Sequence, residues 1–253
     1  MSTLVLLHAF PLDHHLFDDI VEPIAKSGWQ VFTPDIRGCG DAPDWSDRNQ
    51  SLITCAQDVV AMLDQYGIEK AVIGGCSLGG YIAMEMLRYA PERVAGLILI
   101  DTKASADTEE ARANRQRVAQ SVIDANTTEA FTRAMLPNLL GATTHSTKPE
   151  VVAKVQETLS RASVDGVSSL QIAMSMRPDS LQDIKNFRGP VLSIRGDEDG
   201  IASAQDHGGM VAASHDAIHV EIKGSGHLAP IEAPEETSHA IIDFLNDVQR
   251  ISC

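Results

Sequence analysis

Short runs rich in Val, Ile and Leu recur along the chain, and longer stretches with apolar residues three and four apart stand between them. The runs lie near Leu4–Leu7, Gln30–Thr33, Ala71–Gly74, Val94–Ile100, Val191–Arg195 and Ile218–Ile222. Near-continuous apolar runs are what strands covered on both faces require, and helices between them are the crossovers of a parallel sheet. The pattern predicts an α/β fold, a mostly parallel sheet of about six strands with helices on both faces. Leu78 to Tyr89 reads as a helix with Ile82, Ala83, Met86 and Ala90 on one face and Pro91 just past its end. Glu235 to Val248 reads as another, burying Ile241, Phe244, Leu245 and Val248 and leaving His239 in solvent.

Between Ile100 and Val191 the period is helical throughout. Helices are expected over Thr108 to Ala125, Thr128 to Leu140, Pro149 to Ala162 and Asp165 to Met176, broken by Pro137, Gly141 and Pro178. This divides the chain into a core of residues 1–103 and 187–253 and an inserted helical unit of residues 104–186. Met135, Leu136, Leu139, Leu140, Ile172, Met174 and Met176 are candidates for the face the insertion turns to the core.

Candidate chemistry centres on Gly75-Cys76-Ser77-Leu78-Gly79, a G-x-S-x-G turn between a strand and a helix. A serine at so sharp a corner needs small neighbours two positions either side, supplied by Gly75 and Gly79. The corner lifts the hydroxyl above the sheet edge and leaves the Leu78 N–H at a helix N-terminus, where negative charge is favoured. Cys76 lies one residue short of the apex and reads as packing. A serine nucleophile needs a base, and the base needs a group to orient it. His227, in the glycine-rich loop Gly224-Ser225-Gly226-His227 after a strand, is the candidate base. Asp199, in Gly196-Asp197-Glu198-Asp199 after the preceding strand, is the candidate acid, because its reach past the strand lets it turn back to the imidazole. Asp197 is expected to close that turn through backbone N–H groups. Asp101, at the end of the strand Val94–Ile100, is the rival acid.

These segments, together with Leu6-Leu7-His8-Ala9-Phe10-Pro11 and Pro34-Asp35-Ile36-Arg37-Gly38-Cys39-Gly40, resemble in order the motifs of the α/β-hydrolase superfamily, in its serine esterase and lactonase-like branch. The resemblance spans nearly the whole chain. It implies that the inserted unit is a helical cap over the site; because the Leu4–Leu7 run opens within the first few residues, the family's N-terminal antiparallel strand pair is expected to be lacking. It implies a Ser77-His227-Asp199 triad, with the backbone N–H groups of Phe10 and Leu78 holding the oxyanion of a small-molecule ester substrate and no cofactor needed. Ala9 stands where the family usually has glycine; a φ above zero there would cost on the order of 1 kcal/mol. The same constellation serves an enol-lactonase, thioesterase, perhydrolase or carbon–carbon bond hydrolase, or a small-molecule receptor with little turnover. Asp13, His14 and His15, just past the oxyanion loop, read as surface turn residues.

Composition narrows the partners. A formal net charge of −15 disfavours nucleic acid and anionic membrane surfaces. No apolar run has the length of a membrane span, and no basic, apolar leader opens the chain. Cys39, Cys55, Cys76 and Cys253 lack metal-ligand or C-x-x-C spacing, so no metal is expected and a cytoplasmic protein with reduced thiols is. Matches to glycosylation acceptors at Asn49 and Asn126 carry no weight without secretion. No oligomeric state follows from the sequence.

Overall fold

A computed structural model describes residues 2–45 and 50–252; Asn49 and Cys253 lie outside the described residues. The apolar runs become β1 (Thr3–Leu7), β2 (Gln30–Phe32), β3 (Ala71–Cys76), β4 (Val94–Ile100), β5 (Val191–Gly196) and β6 (Ala217–Ile222). They form a six-stranded sheet in the order β2-β1-β3-β4-β5-β6. Every pairing among the described residues is parallel, so they include no antiparallel pair beside β1. Because the strands point the same way, the turns after their C-terminal ends collect on one rim of the sheet.

Alternate side chains of each strand enter two cores. Val5, Leu7, Ile73, Leu97 and Leu99 pack on one face with α2 (Leu52–Gln65) and α3 (Leu78–Tyr89). Leu4, Leu6, Val72, Ile98 and Ile194 face the other way, toward α1 (Asp18–Lys26) and the long C-terminal helix, α12 (Pro234–Ser252). A period of two on strands buried on both faces explains why no polar alternation marks them in the sequence. Ile241, Phe244, Leu245 and Val248 of α12 are buried, and His239 is exposed.

Between β4 and β5 the chain makes α4 (Glu109–Ala125), α5 (Glu129–Leu139), α6 (Ala142–Thr147), α7 (Pro149–Ser160), α8 (Val164–Ser175) and α9 (Leu181–Asn186). α4 packs along α8, α5 and α6 along α7, and α9 on α3 and α10 (Ala204–Ala213). Three expectations need correction. Pro137 lies inside α5 and does not break it; so near the C-terminal end, a proline removes one helical bond and the final turn still closes. Met176 is 55% exposed, so it is not packed into the core. α6 has no counterpart in the predicted helices, being a single short turn of Thr, Ser and His that begins after Gly141. Leu139, Leu140 and Met174 are buried.

A buried polar group contributes to the acid side of stability. His207 of α10 is fully buried, its Nδ1 shares a hydrogen bond with Ser193 Oγ at 2.7 Å, and its Nε2 has no hydrogen-bond partner among the described residues. Burial, with the facing His219 and Arg195 outweighing Asp199 and Asp206, pushes its pKa down to about 4. Unfolding restores the ordinary value, so the unfolded chain binds more protons as pH falls below about 6.5. His207 should therefore withdraw up to about 3 kcal/mol of stability between pH 6.5 and pH 4. His207→Gln should flatten this slope in urea melts run across that range; an unchanged slope would exclude His207 as its source.

Candidate active site

The β3–α3 corner holds Ser77 at φ 52°, ψ −109°, a left-handed backbone that a side-chain-bearing residue adopts only under strain. Neighbouring groups hold it there. The Ser77 N–H donates to the Ile100 carbonyl at 2.9 Å, and the Ser77 carbonyl accepts from Thr102 Oγ1 at 2.8 Å. A Cβ on Gly75 would strike the backbone of Gly79, and one on Gly79 would strike the Leu7 carbonyl. The corner thus requires glycine at both places. Leu78 begins α3, so its N–H stands at the helix N-terminus beside the serine.

His227 is 2% exposed and hydrogen-bonded through both ring nitrogens. Its Nε2 lies 2.8 Å from Ser77 Oγ, and its Nδ1 lies 2.9 Å from Asp199 Oδ2. A carboxylate can only accept, so Nδ1 carries the proton and Nε2 is left to accept from the serine hydroxyl. Asp199 is itself pinned, its Oδ1 accepting from Ile201 N at 2.7 Å and Ala202 N at 3.1 Å. Burial alone would raise its pKa, but the hydrogen bond and charge of His227 and these two N–H groups hold it below the ordinary value.

The rival carboxyl does different work. Asp101 makes no hydrogen bond to an imidazole among the described residues; its Oδ1 accepts from Gly196 N at 2.8 Å and its Oδ2 from Ala229 N at 2.9 Å. It therefore ties the strand that leads to Asp199 to the segment just after His227. Burial, then the charge of Asp199, pushes its pKa up to about 7. Asp197 closes its turn as expected, accepting from Gly224 N at 2.7 Å. Cys76 is fully buried, its Sγ 3.6 Å from the His227 carbonyl, and burial with the surrounding carboxylates raises its thiol pKa well above the ordinary value. A thiol so placed is no nucleophile.

A profile of the alpha/beta hydrolase fold matches residues 2–234. The chain belongs to the alpha/beta hydrolase family. This alpha/beta hydrolase is 27% identical over 187 residues to 3-oxoadipate enol-lactonase 2 of Acinetobacter baylyi, covering 73% of this chain and 67% of that protein. It is 28% identical over 259 residues to the dihydrolipoyllysine-residue acetyltransferase component of the acetoin cleaving system of Pseudomonas putida. That match covers 96% of this chain but 63% of the relative, less than two thirds of its length. Among solved structures, a thermophilic esterase from Thermogutta terrifontis, determined with malate bound, aligns at TM-score 0.92 and 31% identity over 98% of this chain and 90% of that one.

In the loop after β1, Ala9 is not among the residues with positive φ, so alanine there carries no backbone penalty. The Phe10 ring lies 5.8 Å from that of Phe131 on α5. His8 is fully buried; its Nε2 accepts from Ile36 N at 2.9 Å and its Nδ1 donates to the Ala9 carbonyl, joining the loop to the Pro34–Gly40 turn. Asp13 is 4% exposed rather than a surface residue, because it caps the turn at His14–Phe17 and pairs with Arg161 at 2.9 Å. Sequence reasoning also passed over Glu198, which accepts from Thr143 N at 2.8 Å, and Glu232. The one signal for Glu232 is an acid standing alone in the otherwise apolar Leu228–Ala233. No described helix is long and apolar enough to cross a membrane.

Proposed function

We propose that this chain hydrolyses carboxylic esters with small to medium, largely apolar acyl groups through an acyl-enzyme on Ser77. The observation that carries the reading is the unbroken hydrogen-bond relay from Ser77 Oγ through both nitrogens of His227 to Asp199. Ser77 Oγ attacks the carbonyl carbon while His227 Nε2 takes its proton. Asp199 holds the ring's tautomer and stabilises the imidazolium. The N–H groups of Phe10 and Leu78 receive the oxyanion, a contribution of roughly 3–4 kcal/mol per donor in comparable sites. The C–O bond breaks, the alcohol leaves with the proton from His227, and water repeats the sequence on the acyl-enzyme to return Ser77 and the free acid.

Support for an apolar acyl group comes from Phe10 and Phe131, which set aromatic surface over the oxyanion loop with Met135 partly buried nearby. On this reading α4–α8 roof the site as a cap and exclude water from it. A second reading is lactone opening, supported by the similarity to the Acinetobacter enol-lactonase; it uses the same steps, with the leaving alcohol or enol remaining attached to the product. The test is a panel of nitrophenyl esters from acetyl to dodecanoyl, with lactones, thioesters and polyanionic esters, followed to many turnovers. Uncharged acetyl to octanoyl esters should turn over fastest. A preference for polyanionic esters would overturn the apolar assignment, and product release that stalls at a single equivalent would make the chain a receptor.

A further inference from the structure

Glu232 closes α11 (Ala229–Glu232) and is 1% exposed. Its two carboxylate oxygens have different partners. Oε1 accepts from Gly226 N and Leu228 N, each at 3.0 Å, so it grips the backbone immediately before and after His227. Oε2 accepts from Gly141 N at 2.8 Å, at the corner between α5 and α6. The segments on either side of that corner meet the His227 region twice more. His227 N donates to the Leu139 carbonyl at 3.1 Å, and Lys148 Nζ, just past α6, donates to the Glu232 carbonyl at 2.6 Å. The two backbones touch, since a Cβ on Gly226 would collide with Gly141.

We infer that Glu232 is a positioning residue with divided labour, one oxygen fixing the base loop around His227 and the other seating the α5–α6 corner beside it. A buried carboxylate facing three N–H donors is costly to leave half-matched. Its removal frees both segments, whereas an amide can serve only one. The inference rests on the proposed role of His227 as base.

Glu232→Gln separates the two oxygens. Its single carbonyl oxygen satisfies two donors when it faces Gly226 and Leu228, which turns the NH2 group against the Gly141 N–H. The base loop is then kept and the corner released. On a nitrophenyl ester KM should rise about fivefold or more, while kcat and the rate of Ser77 labelling by a small fluorophosphonate stay within about threefold of the parent. Glu232→Ala, where it folds by thermal melt, should also lose about a hundredfold in kcat, as expected of a displaced base. Rates are taken per labelled Ser77, so a carboxylate that only stabilised the fold would lower the melting temperature and leave these values alone. Unchanged KM in Glu232→Gln, or a labelling rate that falls with kcat, overturns the inference. Ser77→Ala runs alongside. If that variant still hydrolyses the ester, the triad reading fails; if it is inactive while Glu232→Gln matches the parent, the inference alone fails.

Discussion

Ser77→Ala should lower kcat on an activated ester by about a million-fold, the scale on which loss of a serine nucleophile is measured in other folds. Among the described residues the Ser77 side chain makes one hydrogen bond, to His227 Nε2 at 2.8 Å. Alanine keeps the Cβ, and with it the positive φ of the corner, so the backbone strain is the same in both proteins. The hydroxyl faces the base rather than the core, and its loss should change stability by no more than about 1 kcal/mol. Initial rates, a thermal melt and mass-resolved fluorophosphonate labelling check the three parts. More than about one-hundredth of the parent rate, or label persisting elsewhere in Ser77→Ala, would move the nucleophile to another residue. The buried Cys76 thiol is a poor replacement.

Asp199→Asn should lower kcat/KM by about ten-thousand-fold, and Asp101→Asn by less than about tenfold. The contrast comes from which atoms each carboxyl uses. Oδ1 of Asp199 is held by the N–H groups of Ile201 and Ala202. An asparagine keeps its carbonyl oxygen there and presents NH2 to His227 Nδ1. That nitrogen must then accept, the ring proton moves to Nε2, and the imidazole can no longer take a proton from serine. Asp101 accepts one backbone N–H on each oxygen and none from the ring. Its amide would give up one of those bonds, a stability loss of about 1–3 kcal/mol, with the relay intact. Both variants are compared on one ester with folding checked by melt. Greater damage from Asp101→Asn would place the acid after β4.

Much of this arrangement was legible in the sequence because it depends on short-range pattern. Runs of Val, Ile and Leu marked the strands within a residue or two, and Leu78–Tyr89 was bounded by its serine corner and Pro91. The glycines at 75, 79, 224 and 226 pointed to tight turns beside Ser77 and His227. What stayed hidden depends on partners far away in the chain. The spacing of Asp199 past β5 favoured it over Asp101, whereas the 196–202 turn that carries it to the imidazole is closed by backbone N–H groups that no residue type records. Glu198, Glu232 and His8 act on backbone N–H groups or on loops distant in sequence, and a backbone donor leaves no residue-type signature. The short α6 was missed because its residues have weak helix propensity and its start is held by Glu232 at Gly141.

The common direction of the six strands has a practical side. The turns that carry Ser77, Asp199 and His227 leave the C-terminal rim, while the opposite rim carries the short connectors 27–29, 66–70, 90–93, 187–190 and 214–216. Anchoring chemistry introduced there, on a bead, a surface or a fused carrier, would hold the support on the side of the sheet away from Ser77. If α4–α8 are the cap proposed above, an immobilised form tethered through that rim should keep substrate access open, whereas attachment along α4 to α8 should restrict it.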